Sequence, residues 1–225
     1  MKAMILAAGE GRRMRPLTLT TPKPLLQVGG RALLEHHLLN LKASGFTHIV
    51  VNAAYLGRQI IEFCGDGSQW GLSISVSLED SPLETAGGIL NAMALLGDDP
   101  FLVVNGDVWM PYPFGDLKDV KLTPAGAHLV LVDNPAHNVS GDFSLAQGVV
   151  QPRAENPLTF SGVALYDPAF FQGCVAGFRP LKPLLDQAIE RGVVTGEQWL
   201  GAWQDVGTPE RLASLDAALQ ARQGN

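Results

Sequence analysis

The chain has 225 residues, 46% hydrophobic and 17% charged, a composition that supports a substantial core and excludes a disordered or fibrous protein. Its 22 acidic and 16 basic side chains leave a net charge of −6, so no general attraction to nucleic acid or an anionic membrane is expected. Cys64 and Cys174 lie far apart without nearby ligands at metal spacing and read as free thiols rather than a disulfide or a metal site.

Residues 3–8 form an apolar run that reads as a buried strand, too short to span a bilayer and without the layout of a signal peptide. A cytoplasmic protein is the resulting expectation. The run enters a turn at Gly9 and Gly11, where backbone amides can face phosphate oxygens at close approach. Arg12, Arg13 and Arg15 follow with forked donors, and Lys23 is held between Pro22 and Pro24, whose rings restrict the local backbone. This is the chemistry of a triphosphate site, with Lys23 the preferred contact to the α-phosphate. A dinucleotide fingerprint would need glycine at Met14, and no helical pattern begins before Pro16. A P-loop would need the lysine to open a helix, whereas Lys23 precedes Pro24.

Further along, residues 33–44 predict a helix, 48–52 a strand, 55–63 a helix, 72–78 a strand, 85–95 a helix and 101–105 a buried strand. That alternation predicts a parallel sheet flanked by helices. Candidate strands at 128–132, 143–150 and 159–166 suggest an antiparallel extension over the core, followed by a helix at 181–191, a short strand at 201–206 and a final helix at 209–222. With no polar linker or repeat, a single domain over 1–225 is expected.

Ligands of open α/β sheets gather beyond the carboxyl ends of strands, and Asp107 stands just past the strand at 101–105. Asp205 follows a second short apolar segment, although an Asp before Gly207-Thr208-Pro209 also suits a helix cap. Thr85 could cap the helix of Glu84-Thr85-Ala86-Gly87-Gly88, whose small residues serve equally for a nucleobase approach or for close packing. Glu79 and Asp80 read as solvated loop charges. His36, His37, His128 and His137 read as structural or surface residues, and Trp199 and Trp203 as core packing.

Leu6-Ala7-Ala8-Gly9-Glu10-Gly11-Arg12-Arg13-Met14 with Pro22-Lys23-Pro24-Leu25 resembles the signature of the sugar-1-phosphate nucleotidyltransferases. Glu84-Thr85-Ala86-Gly87-Gly88, Asn105-Gly106-Asp107 and Trp203-Gln204-Asp205-Val206-Gly207-Thr208-Pro209 extend the resemblance along nearly the whole chain. It implies a Rossmann-like α/β fold, with a mixed, mainly parallel sheet flanked by helices and a small antiparallel sugar-binding extension. It also implies a catalytic domain without the C-terminal β-helix domain of longer relatives.

The resemblance assigns Asp107 and Asp205 to a shared Mg²⁺, and Arg13 and Lys23 to catalysis. It gives the nucleotide to Ala8, Gly9, Gly11, Arg12, Arg13, Lys23, Leu83, Thr85 and Gly87, and the sugar to Asn105, Ser140, Gly141, Glu155 and Ser161. Asn52 is a weaker candidate. Where the family often has Glu-Lys-Pro this chain has Glu155-Asn156-Pro157, so Arg153, Arg179 or Lys182 would have to replace the missing charge. The implied substrates are a nucleoside triphosphate, UTP favoured, and a sugar 1-phosphate, N-acetylmuramate 1-phosphate favoured. Guanylyl transfer to mannose 1-phosphate and thymidylyl or uridylyl transfer to glucose 1-phosphate are the alternatives. A non-catalytic domain that binds nucleotide-sugars is the contrasting class, against which the acidic pair, Lys23 and Arg13 argue.

Overall fold

In the computed structural model, which describes residues 1–223, the opening apolar run forms β1 (Ala3–Leu6). There follow β2 (Gln27–Val28), β3 (Arg31–Ala32), α1 (Leu33–Ala43), β4 (His48–Ala53), α2 (Gly57–Cys64), β5 (Ser73–Leu78), α3 (Glu84–Leu96), β6 (Phe101–Asn105) and β7 (Val108–Trp109). The second half contains β8 (Ala127–Val132), β9 (Phe143–Ala146), β10 (Val149–Pro152), β11 (Thr159–Tyr166), α4 (Lys182–Glu190), β12 (Val194–Trp199), β13 (Gln204–Asp205) and α5 (Pro209–Gln223).

Nine strands form one sheet in the order β5-β4-β1-β6-β11-β8-β12-β10-β9. Following the pairings from strand to strand, all run one way except β11 and β10, so the mixed sheet is mainly parallel. Alternating side chains divide its central strands between two cores. Ala3 and Ile5 join Ile49, Val51, Leu102 and Val104 on the face covered by α1 and α2. Met4 joins Val50 and Val103 on the face covered by α3 and α4. A third apolar cluster fastens α5, through Leu215 and Leu219, to Met14, Leu26 and Val28 of the N-terminal segment.

Three details differ from the sequence reading. The antiparallel strands do not lie over the core as a separate layer; β11 and β8 continue the main sheet beside β6. The stretch expected as one strand at 143–150 is the β9–β10 hairpin, turning at Gln147 and Gly148, both at positive φ as a tight hairpin of matching twist requires. Strand β12 was absent from the expectation, because Val-Thr-Gly-Glu-Gln-Trp has no apolar alternation. Its Gly196 is required by crowding: an added Cβ would come within 2.8 Å of the Leu129 carbonyl and of Val150.

Candidate active site

Register sets the floor of the site. Leu6, the last residue of β1, is level with Asn52 on one side and Asn105 on the other, so three adjacent parallel strands deliver their ends to one line. Beyond that line lies a cleft of about 380 Å³, a volume suited to a small-molecule ligand.

The N-terminal loop forms one wall. Gly11 takes φ 61°, and a Cβ there would press on Thr18 at 2.9 Å and on Lys23 at 3.2 Å, so glycine lets the loop close around the lysine. Thr18 Oγ1 donates to the Gly11 carbonyl at 2.8 Å. Where no helix was expected before Pro16, Arg12–Met14 makes one 3-10 turn, closed by Met14 N donating to Gly11 O at 2.8 Å. Met14 is the buried residue of that turn and joins the α5 cluster, while Arg12 and Arg13 stay exposed and line the cleft. Arg12 pairs with Glu10 at 2.6 Å. Lys23 is only 8% exposed, and its ammonium meets Asp107 Oδ2 at 2.6 Å.

The opposite wall corrects the reading of Glu79. This carboxylate is buried, 7% exposed, and lines the cleft. It accepts from Asn52 Nδ2 at 2.6 Å and from Leu83 N at 3.0 Å, while Asn52 Oδ1 accepts from Ala7 N at 2.7 Å. One relay therefore ties the end of β1, where the glycine-arginine loop begins, to the start of α3. Burial raises the Glu79 pKa above its ordinary 4.5, and the two donated hydrogen bonds partly oppose that shift.

Leu83 and Thr85 line the cleft, but Thr85 does not cap α3; Leu83 stands at the cap with no side-chain bond. Gly87 faces elsewhere. A Cβ there would collide with the Gly177 carbonyl, and its N–H donates to Arg179 O at 3.1 Å. Gly88 leaves room for the relay, since its Cβ would stand 2.7 Å from Asn52 Nδ2 and 2.8 Å from Glu79 Oε1.

The two aspartates come together on the ribbon of β7 and β13, where Asp205 pairs with Val108 and Val206 N donates to Asp107 O at 2.7 Å. Asp107 faces the cleft; Asp205 stands behind Gly207, which lines it. Arg211 Nη1 donates to both Asp205 oxygens at 2.5 Å. His137 Nε2 lies 2.9 Å from both Asp205 Oδ1 and Arg211 Nη1, so it donates to the carboxylate or accepts from the guanidinium according to its tautomer. Among the described residues no cluster of three or more His, Cys, Asp or Glu side chains could hold a metal. Two hard carboxylates on neighbouring segments, Asp107 facing the cleft and Asp205 behind Gly207, are nevertheless the donor type that Mg²⁺ takes from a protein when phosphate and water complete its shell.

Of the sugar-side candidates, Asn105 lines the cleft. Gly162, at φ 85°, makes room for it at the irregularity in the β11–β8 pairing. Ser140, Gly141, Glu155 and Ser161 lie outside the cleft wall. Ser161 is fully buried, its hydroxyl accepting from Val163 N at 3.1 Å and its carbonyl from Trp203 Nε1 at 2.9 Å. The suggested replacement cations are placed elsewhere: Lys182 pairs with Asp186 at 2.7 Å, the backbone N–H of Arg179 donates to Leu83 O, and Arg153 is exposed on the β10–β11 connection. Beside Asp205 stand Arg211, which no sequence motif marks, and His137, which the sequence reads as a structural or surface residue.

The model of the nucleotidyl transferase family matches residues 2–141. An N-acetylmuramate alpha-1-phosphate uridylyltransferase from Neisseria meningitidis is 50% identical over 98% of this chain and 99% of its own length. A mannose-1-phosphate guanyltransferase from Kluyveromyces lactis is 32% identical over 95% of this chain, which spans 63% of that longer protein. In fold, a Bacillus anthracis structure assigned as a glucose-1-phosphate thymidylyltransferase superposes with a TM-score of 0.85 at 23% identity, covering 98% of this chain and 95% of the other. The cleft at the strand ends, its arginine-lysine loop and these matches agree: the chain belongs to the nucleotidyl transferase family.

Proposed function

We propose that this enzyme transfers a uridylyl group from UTP to N-acetylmuramate α-1-phosphate, releasing pyrophosphate, as a cytoplasmic step in the recycling of cell-wall sugar. The observation that carries this reading is the likeness to the Neisseria meningitidis protein, 50% identical over 99% of that protein's length. The ion pair of Lys23 and Asp107 at the mouth of the phosphate loop supports it chemically.

An oxygen of the sugar 1-phosphate attacks the α-phosphorus of UTP in line; the new P–O bond forms as the bond to the β-phosphate oxygen breaks, and pyrophosphate leaves with that electron pair. The attacking oxygen is already anionic, so no general base is required. Catalysis is a matter of alignment and charge. Lys23 and Arg13 offset charge on the α-phosphate and the leaving group, while Gly9 and Gly11 admit the triphosphate to backbone amides. Ala8, Leu83 and Thr85 face the base and ribose, held at fixed separation by the Asn52–Glu79 relay.

Asp107 and Asp205 would hold Mg²⁺, which supplies positive charge to the phosphate oxygens when bound. Pyrophosphate release from UTP and N-acetylmuramate 1-phosphate tests the reading. It should require both substrates and stop on chelation of divalent cations. Release without the sugar phosphate, or undiminished by chelator, would contradict it.

A further inference from the structure

Transfer brings two phosphate-bearing substrates to one pair of aspartates. The triphosphate side has Arg12, Arg13 and Lys23. The second substrate's phosphate needs a cation of its own on the other side of the carboxylates. Arg211 is the arginine paired with the second of them, Asp205. It sits in the first turn of α5, a helix pinned through Leu215 and Leu219, and Gln204 Nε2 donates to its carbonyl at 2.7 Å. Its backbone is thus fixed.

Among the described residues its guanidinium uses one nitrogen: Nη1 carries both bonds to Asp205 and the contact to His137, leaving Nε–H and the Nη2 donors unspent. Nη2 lies against Gly207. A Cβ at Gly207 would overlap Nη2 and stand 3.0 Å from Cζ, and Gly207 is itself part of the cleft wall. Glycine at this position therefore leaves room for Nη2 directly behind the cleft wall, and the in-plane donors of a guanidinium suit phosphate better than a point charge does.

We propose that Arg211, reaching past Gly207, binds the phosphate of the acceptor substrate, and that His137 is a positioning residue that holds the guanidinium in line. The proposal rests on the transferase reading. Asp205 is then shared between its metal role and the orientation of the acceptor's anchor.

The test measures both Michaelis constants for Arg211→Gln, Arg211→Lys, His137→Gln and Gly207→Ala, together with calorimetric binding of N-acetylmuramate 1-phosphate to the enzyme filled with a non-hydrolysable UTP analogue. Arg211→Gln should raise the KM and Kd for the sugar phosphate about tenfold or more, the size expected for losing a charge-assisted hydrogen bond, with the KM for UTP moved by less than about threefold. Arg211→Lys should recover part of the loss. Gly207→Ala, whose Cβ would displace Nη2 and also press on Asp205 Oδ2 at 3.1 Å, should raise the KM for the sugar phosphate together with the Mg²⁺ requirement, and His137→Gln should give a smaller, selective loss.

An unchanged affinity for the sugar phosphate alongside a raised Mg²⁺ requirement would overturn the proposal, making Arg211 a clamp on Asp205 alone. If wild-type enzyme releases no pyrophosphate with any substrate pair, the transferase reading fails. The calorimetric arm still decides the binding role, because equal affinity in wild type and Arg211→Gln would overturn it independently.

Discussion

Lys23 and Asp107, 84 positions apart in sequence, form an ion pair at 2.6 Å that joins the proline-framed loop to the end of β6. The lysine is nearly enclosed, whereas the aspartate side chain is 40% exposed to the cleft. A divalent cation and the α-phosphate would divide this pair between them, giving the metal its carboxylate and the phosphate its ammonium. Lys23→Met should lower kcat by about 10²–10³, the usual cost of removing one preorganised donor to a developing charge. Because the abandoned carboxylate can be solvated, the stability change should stay within about 1 kcal/mol. Steady-state kinetics with a parallel urea titration checks both values.

Gly162 holds φ 85° with Asn105 against it; an added Cβ would stand 2.6 to 2.8 Å from Asn105 side-chain atoms. Gly162→Ala should therefore cost about 1–3 kcal/mol in unfolding free energy through backbone strain and overpacking. It should also displace Asn105 from the cleft, raising the KM of at least one substrate. A variant with wild-type stability and kinetics would show that the position tolerates a side chain.

Glu79→Gln keeps the shape of the relay but cannot accept at both ends, and one amide hydrogen is left without an acceptor. At pH 7 it should raise the KM for UTP by loosening Leu83. Its stability should depend on pH differently from wild type. The folded-state pKa of Glu79 is raised, so its favourable contribution is fully present below pH 4.5 and is lost as pH rises through the higher folded value. Melting wild type and Glu79→Gln from pH 4 upward should thus show the variant gaining on wild type as pH increases; parallel curves would contradict the buried-carboxylate account.

His37, in α1, is buried beside the backbone of Val108, and its Nε2 finds no partner among the described residues. Burial, helped by neighbouring His36, pushes its pKa from 6.5 down to about 4. A base depressed in the folded state stabilises fully above pH 6.5 and loses that stability as pH falls toward 4, because the unfolded chain then takes up the proton first. His37→Gln should flatten the acid side of the stability profile between those values, a change measurable by thermal melting.

The features legible in sequence were local ones. The glycine-arginine loop, Lys23 between prolines and the apolar strands of the parallel half announce themselves through spacing and alternation, and Asp107 follows from its place after β6. Glu79 was not legible because its meaning comes from Asn52, 27 residues away, and from burial that no neighbouring residue signals. Arg211, which no motif marks, and His137, which reads as a structural or surface residue, were not legible as a pair for the same reason: they meet only because β13, α5 and the segment after β8 converge on Asp205. Strand β12 escaped because packing against Leu129 and Val150 dictates a glycine, and Glu197 accepts from the Tyr112 hydroxyl instead of continuing an apolar pattern.

Uridylyl transfer to N-acetylmuramate 1-phosphate is tested by measuring kcat/KM for pyrophosphate release across UTP, GTP and dTTP, each paired with N-acetylmuramate 1-phosphate, mannose 1-phosphate and glucose 1-phosphate. UTP with N-acetylmuramate 1-phosphate should give the highest value, with the corresponding nucleotide-sugar as product. A higher value for GTP with mannose 1-phosphate, or no release from any pair, would contradict the account.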